Sequence, residues 1–383
     1  MSTLKVDAIR HNSATSDAIT TAADGTCTAK LTSVNGGQLS HRNIIINGAM
    51  NISQRGTSGN SGDYLIDRFG VYNSGTDETP TQAQVDVASG TTPYSLGFRK
   101  ALKITNGNNT GGAGAADRIF TQHKVEAQDM ATSGWNYTSS SSFVTLSFWV
   151  KSSVAQNFYG YMQTHDGTSQ GYSFETGSLT ADTWTKVTKK IPGNSNLQFN
   201  NDNDKGITIV FGVYHGTDYT DAGNAMNQWG TYSGSGRMPD NTTTWYTTND
   251  ATFEYTGVQL EVGDIATSFE HISIAEELRR CSRYCQVWAR GYCIGNAVGS
   301  NDINIGVPLT TPLRAVPSCN GLQMHRSGNQ STTASFHSAQ YTANSTVVEI
   351  RMGGWTGGAA VSDEVAYAVT PTNSETMKIS AEL

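Results

Sequence analysis

Between Phe143 and Gly263 the chain repeats one pattern: a strand-length apolar run, then a cluster of Gly, Asn and Asp. The runs are FVTLSFWVKSS, NFYGYMQT, TWTKVTKKI, GITIVFGVYHG and ATFEYTGVQLEVG. None carries the three-to-four-residue apolar interval of an amphipathic helix. Short strands at irregular spacing, with no helix between them, bury their apolar faces only against one another. This predicts an all-β fold, an antiparallel jelly-roll sandwich.

Composition supports the reading. The hydrophobic fraction is 37% and the charged fraction 15%, with 40 Gly, 8 Pro, 16 Tyr and 7 Trp. Polar, weakly charged, Gly-rich and aromatic chains suit short strands and many turns, whereas disordered chains are poorer in aromatics. At 383 residues more than one unit is expected. We place a leader at 1–42, the jelly roll at 43–272, a connecting helix at 273–291 and a smaller C-terminal β domain at 292–383.

The leader holds TLKVDAI and AITTAADGTCTAKL, and Asp24-Gly25 at the centre of the second is a hairpin signal. Such a polar segment cannot bury a core alone, so a partner surface is expected to order it. The helix is ISIAEELRRCSRYCQVWARG, Ile272 to Gly291, with Ser273 and Glu276 as a capping box. Its apolar stripe, Ile274, Leu278, Cys281, Cys285 and Trp288, suits packing on the sandwich or a seam near a three-fold axis.

Net charge is -7 and no Lys/Arg run exists, which argues against nucleic-acid binding through phosphate neutralisation. No apolar run approaches the roughly 18 residues of a membrane span, and no secretory apolar region opens the chain, so neither membrane insertion nor a standard export signal is expected. The five cysteines, Cys27, Cys281, Cys285, Cys293 and Cys319, fit neither a disulfide frame nor a common zinc spacing. Buried thiols are expected, with no metal site and no cofactor. Catalysis on glycans would need two facing carboxylates. The available pairs are Asp202 with Asp204, Asp218 with Asp221, and Glu254 with Glu261. The first two read as turn residues, and their spacing also leaves room for a structural calcium ion. No catalytic residue is assigned.

A binding role needs only aromatic faces among neutral hydrogen-bonding groups. The segment His215–Asp250 has that composition between two apolar strands. Its Trp229, Tyr232, Trp245 and Tyr246 are candidate ligand-binding residues, and Trp135 and Tyr137 in TSGWNYTSSSS form a second candidate group. For Trp229 and Trp245 the alternative is packing as core plugs beneath the loop.

The segments NIIINGAMNISQRG, DYLIDRFGVY, VTLSFWVKSS and GVQLEVGDIATSFEHISIAEELRRCSRYCQ together resemble the tail-fibre and receptor-binding proteins of tailed bacteriophages, and the TLKVDAI start resembles leaders of such proteins, especially from marine and cyanobacterial phages. The resemblance spans roughly Asn43 to Gln286. It implies a carbohydrate-binding-module-like jelly roll that opens with a strand at His41–Gly56. It further implies a homotrimer anchored to a phage tail or baseplate protein through residues 1–42, made in the host cytoplasm and carried on the virion. Such a fibre would attach to host surface polysaccharide without cleaving it. A purely structural tail or head-decoration protein and a polysaccharide depolymerase are the alternatives. The resemblance supplies no ligand residues.

Overall fold

The computed structural model describes residues 6–10, 12–13, 15, 17–24, 27–29, 40–62, 64–288, 292–298, 302–320, 323–326, 330–333, 335–342, 345–353, 365–369 and 377–383. In the leader, β1 (Ala8–Ile9), β2 (Ile19–Thr21) and β3 (Cys27–Ala29) form a small antiparallel sheet. The β2–β3 hairpin closes around Asp24 with Thr21 opposite Cys27, while Gly25 lies outside the described residues.

The sandwich is built from β4 (Ser58–Asn60), β5 (Phe69–Ser74), β6 (Thr81–Asp86), β7 (Lys100–Thr105), β8 (Arg118–Glu126), β9 (Phe143–Ser152), β10 (Asn157–Thr164), β11 (Gln170–Ser178), β12 (Thr185–Pro192), β13 (Lys205–His215), β14 (Trp229–Thr231) and β15 (Thr252–Val262). One antiparallel sheet runs β14-β11-β10-β13-β8-β5, and the other runs β12-β9-β15-β7-β6-β4. The chain passes repeatedly from one sheet to the other, as a jelly roll does. Two short helices, α1 (Thr92–Ser95) and α2 (Ala127–Ala131), were not expected from the sequence.

Alternation sets the core. Ile207, Ile209, Phe211 and Val213 of β13 point inward, against Phe148 and Tyr255 of the facing sheet among others. Burying each such side chain contributes about 1.5–3 kcal/mol. A register shift between Gly212 and Tyr214 also turns Tyr214 into the core and leaves His215 on the outer face.

The expected opening strand at His41–Gly56 is irregular backbone instead. Asn47 and Met50 hold left-handed φ values of 62° and 58°, which no ladder accommodates. Side-chain amides replace the ladder. Asn43 Oδ1 accepts from the backbone N–H groups of Ile45 (3.0 Å) and Leu260 (3.1 Å), and Asn47 Nδ2 donates to the carbonyls of Ile52 (2.8 Å) and Asp67 (2.9 Å). Gly48 lies so close to β15 that a Cβ there would sit 2.0 Å from the Val258 carbonyl oxygen.

The helix is shorter than expected. α3 spans Ile274–Ser282, with Ser273 Oγ accepting from Glu276 N at 3.2 Å. Only half of the capping box forms, because the Glu276 carboxylate pairs with Arg279 at 2.7 and 2.9 Å. The stripe divides accordingly: Cys281 is buried, while Ile274 and Leu278 are 57% and 40% exposed. Cys285 and Trp288 belong to β16 (Cys285–Trp288), which pairs with the last strand of the chain, so long-range pairing overrides the local helical period. The expected boundary at 273–291 therefore holds a helix followed by a strand.

The C-terminal part adds β17 (Tyr292–Val298), β18 (Asp302–Pro308), β19 (Ser318–Asn320), β20 (Gln323–Arg326), β21 (Gln330–Thr333), β22 (Ser335–Gln340), β23 (Val347–Gly353), β24 (Val365–Val369) and β25 (Met377–Ser380). A seven-stranded sheet runs β21-β20-β24-β17-β18-β23-β22, and a second runs β16-β25-β19. Ile305, Val307, Leu313, Val348, Ile350 and Ile379 form its own core. Cys281, Cys285 and Cys319 are buried thiols; the side chains of Cys27 and Cys293 lie outside the described residues.

The last residues return to the sandwich. Glu382 accepts from Arg55 at 2.9 Å and from Arg68, and both guanidiniums are almost wholly buried. Arg68 lies 3.4 Å from the centre of the Tyr284 ring, whose hydroxyl donates to Glu126 at 2.6 Å. Arg283 grips the same carboxylate with two bonds of 2.8 Å. Burial pushes the Glu126 carboxyl up, but the hydrogen bonds from Arg283 and Tyr284 outweigh it and hold the group below the ordinary carboxylate range. Gln54 joins the junction by donating to Asp67 Oδ2 (2.5 Å) and to the Cys285 carbonyl (2.8 Å). Gln54-Arg55 and Arg283-Tyr284, two of the conspicuous motifs of the sequence, are therefore clamps between the sandwich, α3 and the chain end.

Candidate functional site

On β10 the aromatic residues occupy both faces. Phe158 and Met162 point into the core, while Tyr159 and Tyr161 stand on the outer face. The same holds on β8, where Ile119 faces inward and Phe120 outward. Across the outer face of the sheet β14-β11-β10-β13-β8-β5 this produces a continuous row of rings. Tyr232 lies 6.1 Å from Tyr161, Tyr161 6.5 Å from His215, and His215 5.5 Å from Phe120. Phe120 stacks on Tyr72 at 5.5 Å, and Tyr72 meets Tyr64 edge-on at 6.2 Å. Tyr161 and His215 are buried in the row, whereas Tyr72, Phe120, Tyr159 and Tyr232 are half-buried.

The segment after β13 folds over one end of this row. Met238 packs against Tyr161 and Val210, and β14 adds itself to the edge of the sheet by pairing with β11, Trp229 opposite Tyr172. Between β14, β11 and this segment lies a cavity of about 200 Å³, with Trp229 and Tyr232 on its wall beside Ser173, Asn224, Gln228 and Arg237. Trp229 is held in place by its indole N–H, which donates to the Pro192 carbonyl at 2.7 Å, and by Tyr172 at 5.2 Å. Asn224 is fixed by Ser173, whose hydroxyl donates to it at 2.5 Å. Flat aromatic area beside anchored amides and hydroxyls is the chemistry that holds a sugar ring by stacking and directed hydrogen bonds.

The six residues expected from the sequence divide by depth. Trp229 and Tyr232 line the cavity, although the Trp229 side chain also packs on the core beside Tyr172 whereas Tyr232 belongs to the outer-face cluster. Trp245 and Tyr246 do not line it, because both are core residues with about 0–1% exposure. The Trp245 indole N–H donates to Thr252 O at 3.0 Å, and Tyr246 stacks on Tyr214 at 4.3 Å with its hydroxyl on Asp117. Asn106 draws this part of the loop inward through the carbonyls of Trp245, Tyr246 and Thr248. Trp135 is also buried, and Tyr137 packs edge-on to Phe199 at 4.9 Å. As ligand platforms Trp245, Tyr246 and Trp135 are corrected to packing residues, while Tyr137 is half-buried against the core, as Trp229 is. Loop composition marks a segment as a loop without saying which way its rings point. The sequence reading missed Tyr72, Phe120, Tyr159 and Tyr161; the signal available was that NFYGYMQT and RIFTQHK carry apolar residues at both parities of the strand.

Of the carboxylate pairs, Glu254 with Glu261 is occupied structurally, and one member of each other pair acts as a turn residue. Glu254 pairs with Lys151 at 3.0 Å, and Glu261 accepts from Thr267 N (2.8 Å) and Thr267 Oγ1 (2.6 Å). Asp202 accepts from Asp204 N and Asp221 from Gly223 N, as turn residues do. Among the described residues no group of three or more His, Cys, Asp or Glu side chains gathers to hold a metal ion, and no helix is long and apolar enough to cross a membrane.

His215 gives the face a pH signature. Its ring is 1% exposed, and neither ring nitrogen has a hydrogen-bond partner among the described residues. Burial first, then the nearby Arg237 and Arg118, push the imidazole down to about 3. An unfolded histidine titrates near 6.5. Below that pH the unfolded chain takes up a proton that the folded one refuses, so stability present above about 6.5 is lost as pH falls toward 3. The change His215→Phe removes this coupling without stranding a partner. Between pH 7 and pH 5 the unaltered chain is expected to lose about 2 kcal/mol more than the variant. Urea denaturation at the two pH values checks this, and parallel losses would show that His215 does not titrate as described.

No protein-family profile matches the chain, and no curated protein matches it. Similar solved structures include the enzymatically active domain of tailspike protein 4 of bacteriophage CBA120, at 9% identity and TM-score 0.32, covering 57% of this chain and 21% of that one. The chain thus spans about a fifth of that tailspike domain. The N-terminal cellulose-binding domain of Cellulomonas fimi β-1,4-glucanase C is similar at 11% identity and TM-score 0.26, covering 56% of this chain and 99% of that one. The family 11 carbohydrate-binding module of Clostridium thermocellum, solved with a β-1,3-1,4-mixed-linked tetrasaccharide, is similar at 13% identity and TM-score 0.24, covering 55% and 98%. At TM-scores this low the likenesses carry no functional weight; the fold stands on its own geometry as an antiparallel β-sandwich.

Proposed function

We propose that this chain is a non-cleaving adhesin of a phage tail, which holds host surface polysaccharide on the outer face of its jelly roll. The observation that carries the glycan part is the row of outer-face rings, in which Tyr72, Phe120 and Tyr232 are half-buried over the buried Tyr161 and His215, ending at the Trp229–Tyr232 cavity. Stacking platforms of this kind recognise sugars with little rearrangement. The tail-fibre part rests on the resemblance of the segments between Asn43 and Gln286 to phage receptor-binding proteins. A homotrimer, docked through residues 1–42, completes the reading. The exposed Ile274 and Leu278 of α3 are apolar surface that neighbouring copies would cover. Three copies would raise a weak single-site affinity by avidity. Non-cleavage is supported by the structural commitments of Glu254 and Glu261.

Purified protein incubated with host cells is expected to compete with virion adsorption and to release no reducing ends from the surface polysaccharide. Release of reducing ends would make the protein a depolymerase. Failure both to bind cells and to compete would favour a purely structural role.

A further inference from the structure

Resting on the reading of this face as a glycan platform, we propose that the cavity beside Trp229 and Tyr232 selects an acidic sugar, with Arg237 taking its anionic group and Arg118 adding to the positive field. The guanidinium of Arg237 lies 4.8 Å from the centre of the Tyr219 ring, and that of Arg118 lies 4.6 Å from the same centre. Neither forms an ion pair or a side-chain hydrogen bond among the described residues, and the Nε atoms of both are buried without a partner. This sets them apart from the arginines at the junction with the chain end, where Arg55, Arg68 and Arg283 each hold a carboxylate.

Three of the nearby acids are turned elsewhere. Asp117 accepts from Tyr246 Oη and Gly114 N, Asp240 from Thr220 Oγ1, and Asp221 from Gly223 N. Two like charges on one ring, beside a histidine with both ring nitrogens unpartnered, make a site short of negative charge. A cation over an aromatic face is favourable, but it leaves the donors in the guanidinium plane unused. Those donors suit the planar carboxylate of a uronic-type sugar or the oxygens of a sulfate ester. Arg237 lines the same cavity as Trp229 and Tyr232, so a ring stacked there brings its acid group within the arginine's reach. The net charge of -7 makes this local excess of positive charge the more selective, since the remainder of the surface repels acidic polymers.

The test uses the full chain and three probes: an oligogalacturonate, a sulfated oligosaccharide and a neutral cello-oligosaccharide, each titrated calorimetrically. An acidic probe is expected to bind more tightly than the neutral one and to weaken as salt rises, with the better acidic probe identifying carboxylate or sulfate. Arg237→Gln is expected to weaken the acidic probe about tenfold to a hundredfold and to weaken the neutral probe far less. Arg237→Lys, which keeps the charge and loses the fork, should fall between, and serves if the glutamine variant does not fold. Equal affinity for acidic and neutral probes, or acidic binding indifferent to both salt and Arg237→Gln, would overturn the charge selection while leaving the platform standing. If no probe binds and Trp229→Ala changes nothing in cell binding, the platform reading falls, and the charge selection with it.

Discussion

Glu382→Ala is expected to destabilise the folded chain by about 3–5 kcal/mol, although the residue is next to last in the sequence. Its carboxylate faces Arg55 at 2.9 Å and Arg68 as well, and the two side chains are 3% and 1% exposed. Removing the acid leaves two buried guanidiniums with one counter-charge fewer, and water cannot reach them to compensate. Asp67 cannot take over: it lies 3.7 Å from Arg55, is bonded to Gln54, and burial pushes its own carboxyl up to about 6. Arg68 would keep its stacking on Tyr284 and its bond to the Lys124 carbonyl, which bounds the loss. Glu382→Gln, which retains one acceptor, should cost less. Thermal and urea denaturation of the three proteins measure the effect. A melting temperature unmoved by Glu382→Ala would mean that the junction is open to solvent and that the chain end is not a clamp.

The junction shows what the sequence carried and what it hid. The sandwich was legible because strand-length apolar runs are a local signal: FVTLSFWVKSS, GITIVFGVYHG and ATFEYTGVQLEVG became β9, β13 and β15, although the sequence did not say that Phe148, Phe211 and Tyr255 would meet in one core. The role of Gln54-Arg55 and Arg283-Tyr284 was not legible. Their partners, Glu382 and Glu126, lie far along the chain, and no periodicity links them. Helix α3 illustrates the same limit. Residues 274–288 satisfy a helical stripe, yet Cys285–Trp288 is drawn into a strand by Met377–Ser380. The opening segment failed for a different reason: Ile44-Ile45-Ile46 reads as a strand by propensity, but Asn43 and Asn47 offer the backbone side-chain partners that compete with a ladder.

Which of the expected rings would be buried was not legible, for a related reason. Within His215–Asp250, both tryptophans sit among Gly, Asn and Thr, and their neighbours in sequence do not distinguish them. Depth does. Gln156 Oε1 accepts from the Trp245 backbone N–H at 2.9 Å, and Asn106 pulls the same stretch inward, whereas Trp229 stays half-buried at a sheet edge, held by the pairing of β14 with β11, by Tyr172 and by its indole bond. The aromatics of the outer face escaped notice because each lies on a strand already explained by the core on its other side.

The double change Trp229→Ala and Tyr232→Ala is therefore expected to cut cell binding by orders of magnitude. Each ring contributes stacking on the order of 1 kcal/mol beyond its buried area, and loss at every copy of a multivalent fibre compounds. The stability cost should be smaller than for a core aromatic, where truncation costs about 3–5 kcal/mol. Trp229 and Tyr232 are only half-buried, although Trp229 packs on Tyr172 and Tyr232 on Tyr161. Trp245→Ala supplies the contrast: a wholly buried ring, a large loss of stability and no direct loss of contact with a glycan. Melting temperature and adsorption measured on both variants separate the two roles. If the double variant melts as low as Trp245→Ala, the cavity wall is core and the glycan face must lie along Tyr72, Phe120 and Tyr159. If it melts nearly unchanged and still adsorbs fully, the outer face of this sheet is not where the chain meets its host.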